Sequence, residues 1–184
     1  LAGGTTLKLN RAYKGDYISG KFIKTESPNG EAFSEDPGDL KQEKIIFPFQ
    51  FDHADEAAHA AKRSLRSWRR MPTSDRMNLV AKYQTLLDKR KDVFAGLITS
   101  EVGKPLWEAE WEVADTLLLI GGYLAQYSQK APKEKVTSNE GFSAEISYRP
   151  RGVVAMTCGT DLPGYQPHRF MIPALVEGNT IVMK

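Results

Sequence analysis

The sequence predicts an α/β fold, because a β-rich beginning and a strand–helix–strand end enclose a long helical stretch. Short runs before residue 52 alternate apolar and polar residues, whereas residues 53 to 129 repeat apolar residues at a period near 3.6. Residues 152 to 184 contain two nearly continuous apolar runs on either side of a helical pattern. Such runs are typical of parallel strands that are covered on both faces.

The first part of the chain predicts a hairpin, a loop and an edge strand. "YKGDYISGKFIKTES" alternates around Ser19-Gly20, which indicates a β-hairpin with glycine in its turn. Residues 27 to 44 are rich in turn formers and acids and are interpreted as a surface loop. "IIFPFQF", at 45 to 51, predicts a short strand. Pro48 places this strand at a sheet edge, because proline donates no ladder hydrogen bond.

Four helices are predicted in the middle of the chain. Asp52 is expected to cap the first, Gly103 to end the third, and Pro105 to occupy the first turn of the fourth. The expected ranges are 53 to 69, from Thr73 or Ser74 onward, about 92 to 102, and 106 to about 129. The first helix is expected to turn Ala57, Ala58, Ala61, Leu65 and Trp68 inward.

The last part of the chain predicts an antiparallel strand and a parallel unit. "FSAEISYRP", at 142 to 150, alternates like a half-buried antiparallel strand. "GVVAMTC" at 152 to 158 and "TIVMK" at 180 to 184 predict parallel strands, joined by a helix that ends at Gly178-Asn179. Two parallel strands cannot bury both of their faces. Either another chain supplies neighbouring strands, or the sequence is a piece of a longer protein, which we favour.

Composition excludes several classes of protein. The 184 residues are 41% hydrophobic and 26% charged, which predicts a folded chain, and the net charge of +2 is too small to indicate a nucleic-acid partner. The basic stretch "KRSLRSWRR" is interpreted as a solvated helix face. The longest apolar run, "LLLI", is far too short for a membrane span. A single cysteine and a beginning without a signal-peptide core favour a cytoplasmic location.

The candidate site lies at the end of the first parallel strand. Cys158 is either a small thiol at a strand end, which we favour, or a nucleophile with His168 as its base. In open parallel sheets, ligands bind beyond the carboxyl ends of the strands, and a following helix offers free N–H groups to anions. Residues 157 to 163 are therefore expected where a cofactor or substrate binds. No G-x-G-x-x-G motif is present.

No metal site is predicted. Glu108 and Glu112 stand at i and i+4 on the fourth helix, a spacing that could hold a metal, but no histidine accompanies them. The carboxylates of "WEAEWEVAD" are interpreted mostly as a solvated face.

Several stretches resemble the NAD(P)-dependent aldehyde dehydrogenase superfamily in order along the chain. "YISGKF" resembles its early hairpin, and "SEVGKPLWEAEWEV" its "E-T-G-K-P…E…E-V" junction. "RPRGVVAMTCGTDLP" resembles its "P-x-G-V…P-W-N-F-P" strand and turn, and "PALVEGNTIVMK" its "A-L-x-x-G-N-T-V-V-x-K". The "GKPLWEA" and "PG-x-x-P…PAL" spellings are most similar to succinylglutamate-semialdehyde dehydrogenases.

The resemblance implies the N-terminal part of a three-part subunit, truncated after two parallel strands. Residues 1–51 would form the N-terminal hairpin and strand, and 52–131 the helical part of a Rossmann-like cofactor domain. Residues 132–151 would form the oligomerisation strand region, and 152–184 the start of the cofactor sheet. The complete protein would then be a homo-oligomer, a dimer or tetramer, with no nucleic-acid or membrane partner.

The resemblance also implies roles for single residues. Lys184 matches the lysine that contacts the adenosine ribose of NAD(P). Asp161 stands where the family has an asparagine whose amide helps to form the oxyanion hole. The cofactor-lining residues at the strand end would be Thr157, Cys158, Gly159 and Thr160. Cys158 matches no catalytic position, and the family's nucleophilic cysteine and general-base glutamate lie beyond the last residue of this sequence.

The implied activity is the oxidation of an aldehyde, with a semialdehyde among the candidates, to a carboxylic acid with NAD or NADP. The chain alone is expected to be inactive. The alternatives are a non-catalytic member of the fold with an assembly or regulatory role, and an unrelated small α/β binding module.

Overall fold

The computed structural model describes residues 13–129, the backbone of residues 133–137, and residues 141–184. The beginning of the first predicted domain and part of the predicted oligomerisation region lie outside the described residues. The helices are α1 (Asp52–Trp68), α2 (Thr73–Asp88), α3 (Lys91–Val102), α4 (Leu106–Gln129) and α5 (Tyr165–Val176). The strands are β1 (Asp16–Ile18), β2 (Lys21–Ile23), β3 (Gly30–Ser34), β4 (Ile45–Phe49), β5 (Lys133–Thr137), β6 (Ser143–Ser147), β7 (Val153–Met156) and β8 (Thr180–Met183).

The first hairpin is confirmed. Strands β1 and β2 pair antiparallel, with Ile18 opposite Lys21. Ser19 and Gly20 both have positive φ angles, 53° and 84°. Two consecutive residues with positive φ form the tight turn whose twist matches that of the flanking strands, and glycine adopts this conformation without strain.

The surface loop predicted over residues 27–44 is wrong in part, because β3 lies inside it and pairs antiparallel with β4. Turn formers surround the short "GEAFS" run on both sides and hide its alternation in the sequence. The ring of Phe49 packs over Gly30, since a Cβ at this position would lie 2.6 Å from it. Pro48 lies opposite Glu31 in this two-stranded sheet, so its predicted edge position is confirmed.

Helix α1 is confirmed, but Asp52 does not cap it. The N-cap position belongs to Phe51, which already has helical angles, and no side chain caps the helix. The inward face is centred on His53 and Ala60. Of the residues predicted on this face, Ala57, Ala61, Leu65 and Trp68 are partly buried, whereas Ala58 is exposed.

Helix α4 lies at the centre of the helical part and contacts α2, α3 and α5. One core cluster joins Val80, Ile120, Ile172 and Val176, and a second joins Ala95, Ile98, Ala109 and Val113. Helix α3 ends at Gly103, as predicted, with a φ of 77°. A Cβ at Gly103 would also lie 2.9 Å from Pro37, so the loop between β3 and β4 packs closely against this helix end.

A buried arginine fixes the ends of three helices. Arg76 donates from Nε to the carbonyl of Val176 at 2.9 Å and from Nη1 to the carbonyls of Trp68 and Met71. Its remaining nitrogen donates to Thr73 Oγ1 at 3.0 Å. Burial lowers the pKa of Arg76, and the nearby Glu177 carboxylate opposes that shift. The last turns of α1 and α5 and the first turn of α2 are thereby held together.

Strands β7 and β8 pair in parallel, as predicted, with Val153 opposite Thr180 and Met156 opposite Met183. Helices α1 and α5 pack against this pair. The expected covering of both faces is not complete in this chain, since Val153 and Met183 are exposed. The Asn179 side chain connects the residue before β7 to α5: it accepts from the amide of Gly152 and donates to the carbonyl of Ala174.

Strand β6 pairs antiparallel with β5, as its alternation predicts. All five of its residues are exposed, so the predicted half-buried face is wrong. Among the described helices, none combines the length and apolar character needed to cross a bilayer.

Candidate functional site

The carboxyl ends of β7 and β8 meet at one edge, as parallel pairing requires. The Lys184 amide donates to the carbonyl of Met156 at 3.0 Å, which places Lys184 beside the first residue of the following turn, Thr157. The structure therefore brings together the two parts of the predicted cofactor edge, the turn that follows β7 and Lys184 after β8. The strand residues that precede them, Met156 and Met183, face each other in the parallel pair although they are 27 residues apart in the sequence. This is the edge at which ligands bind in open parallel sheets.

The predicted site residues are accessible. Thr157, Gly159, Thr160, Asp161 and Lys184 are exposed, and Cys158 is half-buried. A cleft of about 650 Å³ lies nearby, between the first hairpin, α1 and β8. Its lining includes Met183 but none of residues 157–161. The residues of the turn therefore form an open edge in this chain, not an enclosed pocket.

The Asp161 carboxylate is held by a side chain of the following helix. Gln166 Nε2 lies 3.0 Å from Asp161 Oδ1 and 3.3 Å from Oδ2. Close behind it is Gly159, where a Cβ would lie 2.9 Å from Asp161 Oδ1. An ionised carboxylate only accepts hydrogen bonds, so Asp161 in that form presents no donor to a ligand at this turn. Sequence reasoning did not find Gln166.

The N-terminus of α5 is capped by a carboxylate from another helix. Glu112 Oε1 accepts from the amides of Gly164 and Tyr165 at 2.7 and 3.0 Å, and its Oε2 accepts from Lys104 Nζ at 2.8 Å. The Glu112 side chain is 2% exposed and that of Lys104 is 11% exposed. The next amide, of Gln166, donates to the carbonyl of Leu162. The amides of residues 164–166 are therefore occupied by the chain's own acceptors and are not free for a ligand anion.

The solvated face predicted for "WEAEWEVAD" is accordingly wrong at Glu112, whereas Glu108, with a side chain 45% exposed, fits it. The signal was present in the sequence. Ala109, Val113 and Thr116 are buried on α4, and position 112 falls on the same helical face. Among the described residues no cluster of His, Cys, Asp and Glu side chains could hold a metal ion.

His168 is engaged away from Cys158. Its Nδ1 lies 2.5 Å from the carbonyl oxygen of Gly164, and its Nε2 lies 2.6 Å from Tyr83 Oη. Both ring nitrogens are therefore occupied by groups other than the thiol, so the dyad of Cys158 and His168 is not formed. Burial lowers the pKa of His168, and the hydrogen bond to Gly164 partly opposes this.

The lowered pKa of His168 predicts a loss of stability in acid. The imidazole protonates near pH 6.5 when unfolded but at lower pH when folded, so the unfolded state binds the proton first. Stability should be complete above pH 6.5 and fall by up to about 1.4 kcal/mol per pH unit below it. Urea unfolding at pH 7.5 and 5.5 measures this, and His168→Asn should reduce the difference. The same pH dependence in His168→Asn and in the unaltered chain would contradict the assignment.

Comparison with known proteins agrees with this architecture. The sequence model of the aldehyde dehydrogenase family matches residues 46–184. The N-succinylglutamate 5-semialdehyde dehydrogenase of Photorhabdus laumondii is 29% identical over 175 residues, which are 94% of this chain and 34% of that protein. The protein of the same name from Burkholderia mallei is 34% identical over 133 residues, 72% of this chain and 27% of that protein.

Solved structures show the same fold. An aldehyde dehydrogenase from Bartonella henselae is 25% identical with a TM-score of 0.84, over 91% of this chain and 35% of that one. NADP-dependent glyceraldehyde-3-phosphate dehydrogenase from Bacillus halodurans, complexed with NADP, is 23% identical with a TM-score of 0.83, over 93% of this chain and 37% of that one. A betaine aldehyde dehydrogenase from Staphylococcus aureus, complexed with NAD+, is 21% identical with a TM-score of 0.82, over 95% of this chain and 35% of that one.

The chain belongs to the aldehyde dehydrogenase family, and it spans about a third of the length of the relatives that it matches. The predicted family and fold class are confirmed. Two of the solved structures with this fold are complexes with a pyridine nucleotide, NADP in one and NAD+ in the other.

Proposed function

We propose that the complete protein oxidises an aldehyde to a carboxylic acid with NAD or NADP, and that this chain supplies the edge that holds the nucleotide. The observation that carries the proposal is the parallel pairing of β7 and β8, which brings the turn at residues 157–161 and Lys184 to one exposed edge. Membership of the aldehyde dehydrogenase family supports it.

The residues present fit a pyridine nucleotide. Lys184 is an exposed ammonium group at a strand end, suited to donate hydrogen bonds to ribose hydroxyls. Thr157, Cys158, Gly159 and Thr160 would lie along the nicotinamide side. The bound nicotinamide would accept the hydride that the aldehyde loses. The nucleophile and the general base would come from chain beyond Lys184, as the family resemblance implies.

The proposal also assigns parts of the chain to the domains of the complete protein. Residues 52–131 would form the helical part of the cofactor domain and 152–184 the beginning of its sheet, while 132–151 would take part in a homo-oligomer. The similarity to N-succinylglutamate 5-semialdehyde dehydrogenases makes a semialdehyde the first substrate to test.

The chain by itself is expected to be inactive, because the family's nucleophile lies outside it. The assay compares the complete protein with the 184-residue chain on a panel of aldehydes and semialdehydes, and follows the formation of reduced nucleotide. The complete protein should turn over and the chain should not. If the 184-residue chain turns over and the Cys158→Ser variant does so too, the proposal that the nucleophile lies outside the chain would be contradicted. If the chain turns over and Cys158→Ser abolishes this activity, Cys158 would be the nucleophile.

Lys184→Ala in the complete protein is expected to weaken NAD(P) binding about tenfold, because a hydrogen bond to the ribose is worth about 1.4 kcal/mol. Isothermal titration calorimetry measures this affinity. Lys62→Ala, at an exposed position on α1, is the matched control and should leave the affinity unchanged. Equal affinities of Lys184→Ala and the unaltered protein would remove Lys184 from the cofactor site.

The second candidate function is a non-catalytic member of the family, and Asp161 favours it. A carboxylate at the position of the oxyanion donor accepts hydrogen bonds and repels a developing negative charge. A protonated Asp161 could still donate a hydrogen bond. Absence of turnover with every aldehyde of the panel, in a complete protein that binds NAD(P), would support the non-catalytic candidate.

A further inference from the structure

We propose that His168 is a positioning residue that fixes Gly164, together with Tyr83, and thereby sets the position of the turn that carries Asp161. The inference rests on the proposed function, because it assigns to the turn a part in the dehydrogenase reaction. It deepens that function by naming the side chains that hold the turn in place.

The hydrogen-bond pattern fixes the state of the His168 ring. A carbonyl oxygen only accepts, so the proton between His168 and Gly164 belongs to Nδ1. In the neutral ring Nε2 is then an acceptor, and Tyr83 donates its hydroxyl to it at 2.6 Å. Burial, which lowers the pKa of His168, favours this neutral ring. The imidazole thus links α2 to the carbonyl of Gly164 through two directed hydrogen bonds.

Aromatic packing restrains the same ring. Tyr83 stacks on it with centroids 5.6 Å apart and planes 19° apart, and Phe94 meets it edge-on at 6.5 Å. Only 5% of His168 is exposed. Because α2, α3 and α5 each contribute a ring, rotation of the imidazole would require all three helices to repack.

Gly164 is fixed on both sides of its backbone. Its amide donates to Glu112 from α4, and its carbonyl accepts from His168, which Tyr83 on α2 orients. The surroundings of Gly164 are tight, since a Cβ would lie 3.1 Å from Glu112 Oε1 and 3.2 Å from Phe94 Cε1. Asp161 precedes this fixed residue by only three positions. Movement of Gly164 would therefore be passed directly to the exposed turn.

Such movement would displace residues 157–160, which would lie along the nicotinamide, the group that accepts the hydride. A displacement of about 1 Å at a reacting group costs on the order of a hundredfold in rate. Lys184, which would contact the adenosine ribose, directly follows β8, and its amide donates to the carbonyl of Met156 in β7. Loss of the His168 contacts should thus lower kcat by a larger factor than it raises the KM for NAD(P).

Two amide substitutions distinguish the hydrogen bond of His168 Nδ1 from that of Nε2. The amide nitrogen of asparagine approximates Nδ1, so His168→Asn retains the donor to Gly164, whereas that of glutamine approximates Nε2, so His168→Gln loses this donor. Tyr83→Phe removes the hydroxyl that orients the ring. Tyr123→Phe is the matched control, because its hydroxyl bonds to the same helix at the carbonyl of Arg169, outside the turn. All four variants are made in the complete protein.

Two readouts are measured: steady-state kinetics, and hydrogen exchange of the peptide covering residues 159–170. His168→Gln and Tyr83→Phe should lower kcat about tenfold or more and speed exchange at the Gly164 and Tyr165 amides. His168→Asn and Tyr123→Phe should stay within about threefold of the unaltered kcat.

Equal kcat values for the asparagine and glutamine variants, or unchanged exchange in Tyr83→Phe, would overturn the positioning role. A complete protein without dehydrogenase activity would overturn the proposed function. The exchange measurement would then still decide whether His168 and Tyr83 hold the turn.

Discussion

Replacing Glu112 by leucine is expected to lower the free energy of unfolding by about 3–5 kcal/mol. The change takes the close partner from a nearly buried ammonium group and leaves, among the described residues, only the exposed Glu108 carboxylate, at 3.9 Å. Lys104 is 11% exposed, and its Nζ lies 2.8 Å from Glu112 Oε2. The same change removes the acceptor of the Gly164 and Tyr165 amides at the start of α5. Urea unfolding of the chain measures the loss.

Glu108→Leu is the matched control on the same helix. Glu108 lies 3.9 Å from Lys104 but is 45% exposed, so its loss should cost less than about 1 kcal/mol. Adding Lys104→Met to Glu112→Leu should restore part of the stability, since the ammonium group that has lost its close partner is then removed as well. Equal costs for Glu108→Leu and Glu112→Leu would show that the buried pair does not stabilise the fold.

Asp161→Asn in the complete protein is expected to raise turnover of an aldehyde about a hundredfold at saturating NAD(P). An asparagine amide supplies an N–H donor where negative charge develops on the substrate oxygen, and one such donor contributes roughly 2.7–4 kcal/mol. The lower value corresponds to about a hundredfold in rate. Steady-state kinetics with a panel of aldehydes gives this ratio.

Asp161→Ala separates the two effects of the carboxylate, since alanine removes the negative charge without adding a donor. It should give a smaller rise in turnover than Asp161→Asn. In the present chain Gln166 donates to Asp161, so the exchange to asparagine keeps a partner for that side chain. Robust turnover with Asp161 in place, and no gain from asparagine, would show that the oxyanion is stabilised elsewhere.

Local signals were sufficient for much of the fold. The hairpin at Ser19-Gly20, the end of α3 at Gly103 and the parallel pair around α5 each depend on a few adjacent residues, and all were confirmed. Strand β3 was missed, because its identity depends on pairing with β4 across a loop rich in turn formers. Asp52 failed as a cap because the chain enters α1 already in a helical conformation at Phe51.

Part of the candidate site could likewise be predicted from local signals, and part of it could not. The exposed edge at residues 157–161 and Lys184 follows from strand order alone, since parallel strands end on the same side. The contacts that hold the turn join residues far apart: Glu112 and Gly164 are separated by 52 positions, and Tyr83 and His168 by 85. Spacing along the chain carries no information on such pairs, although the helical face of Glu112 predicts its burial.

The most direct test of the nucleotide edge is the crystal structure of the complete protein with bound NAD or NADP. The distance to measure joins Lys184 Nζ to the hydroxyl oxygens of the adenosine ribose. We expect a hydrogen bond of about 3 Å, with the nicotinamide beside residues 157–161. A nucleotide bound at another edge of the sheet, with Lys184 directed into solvent, would contradict it.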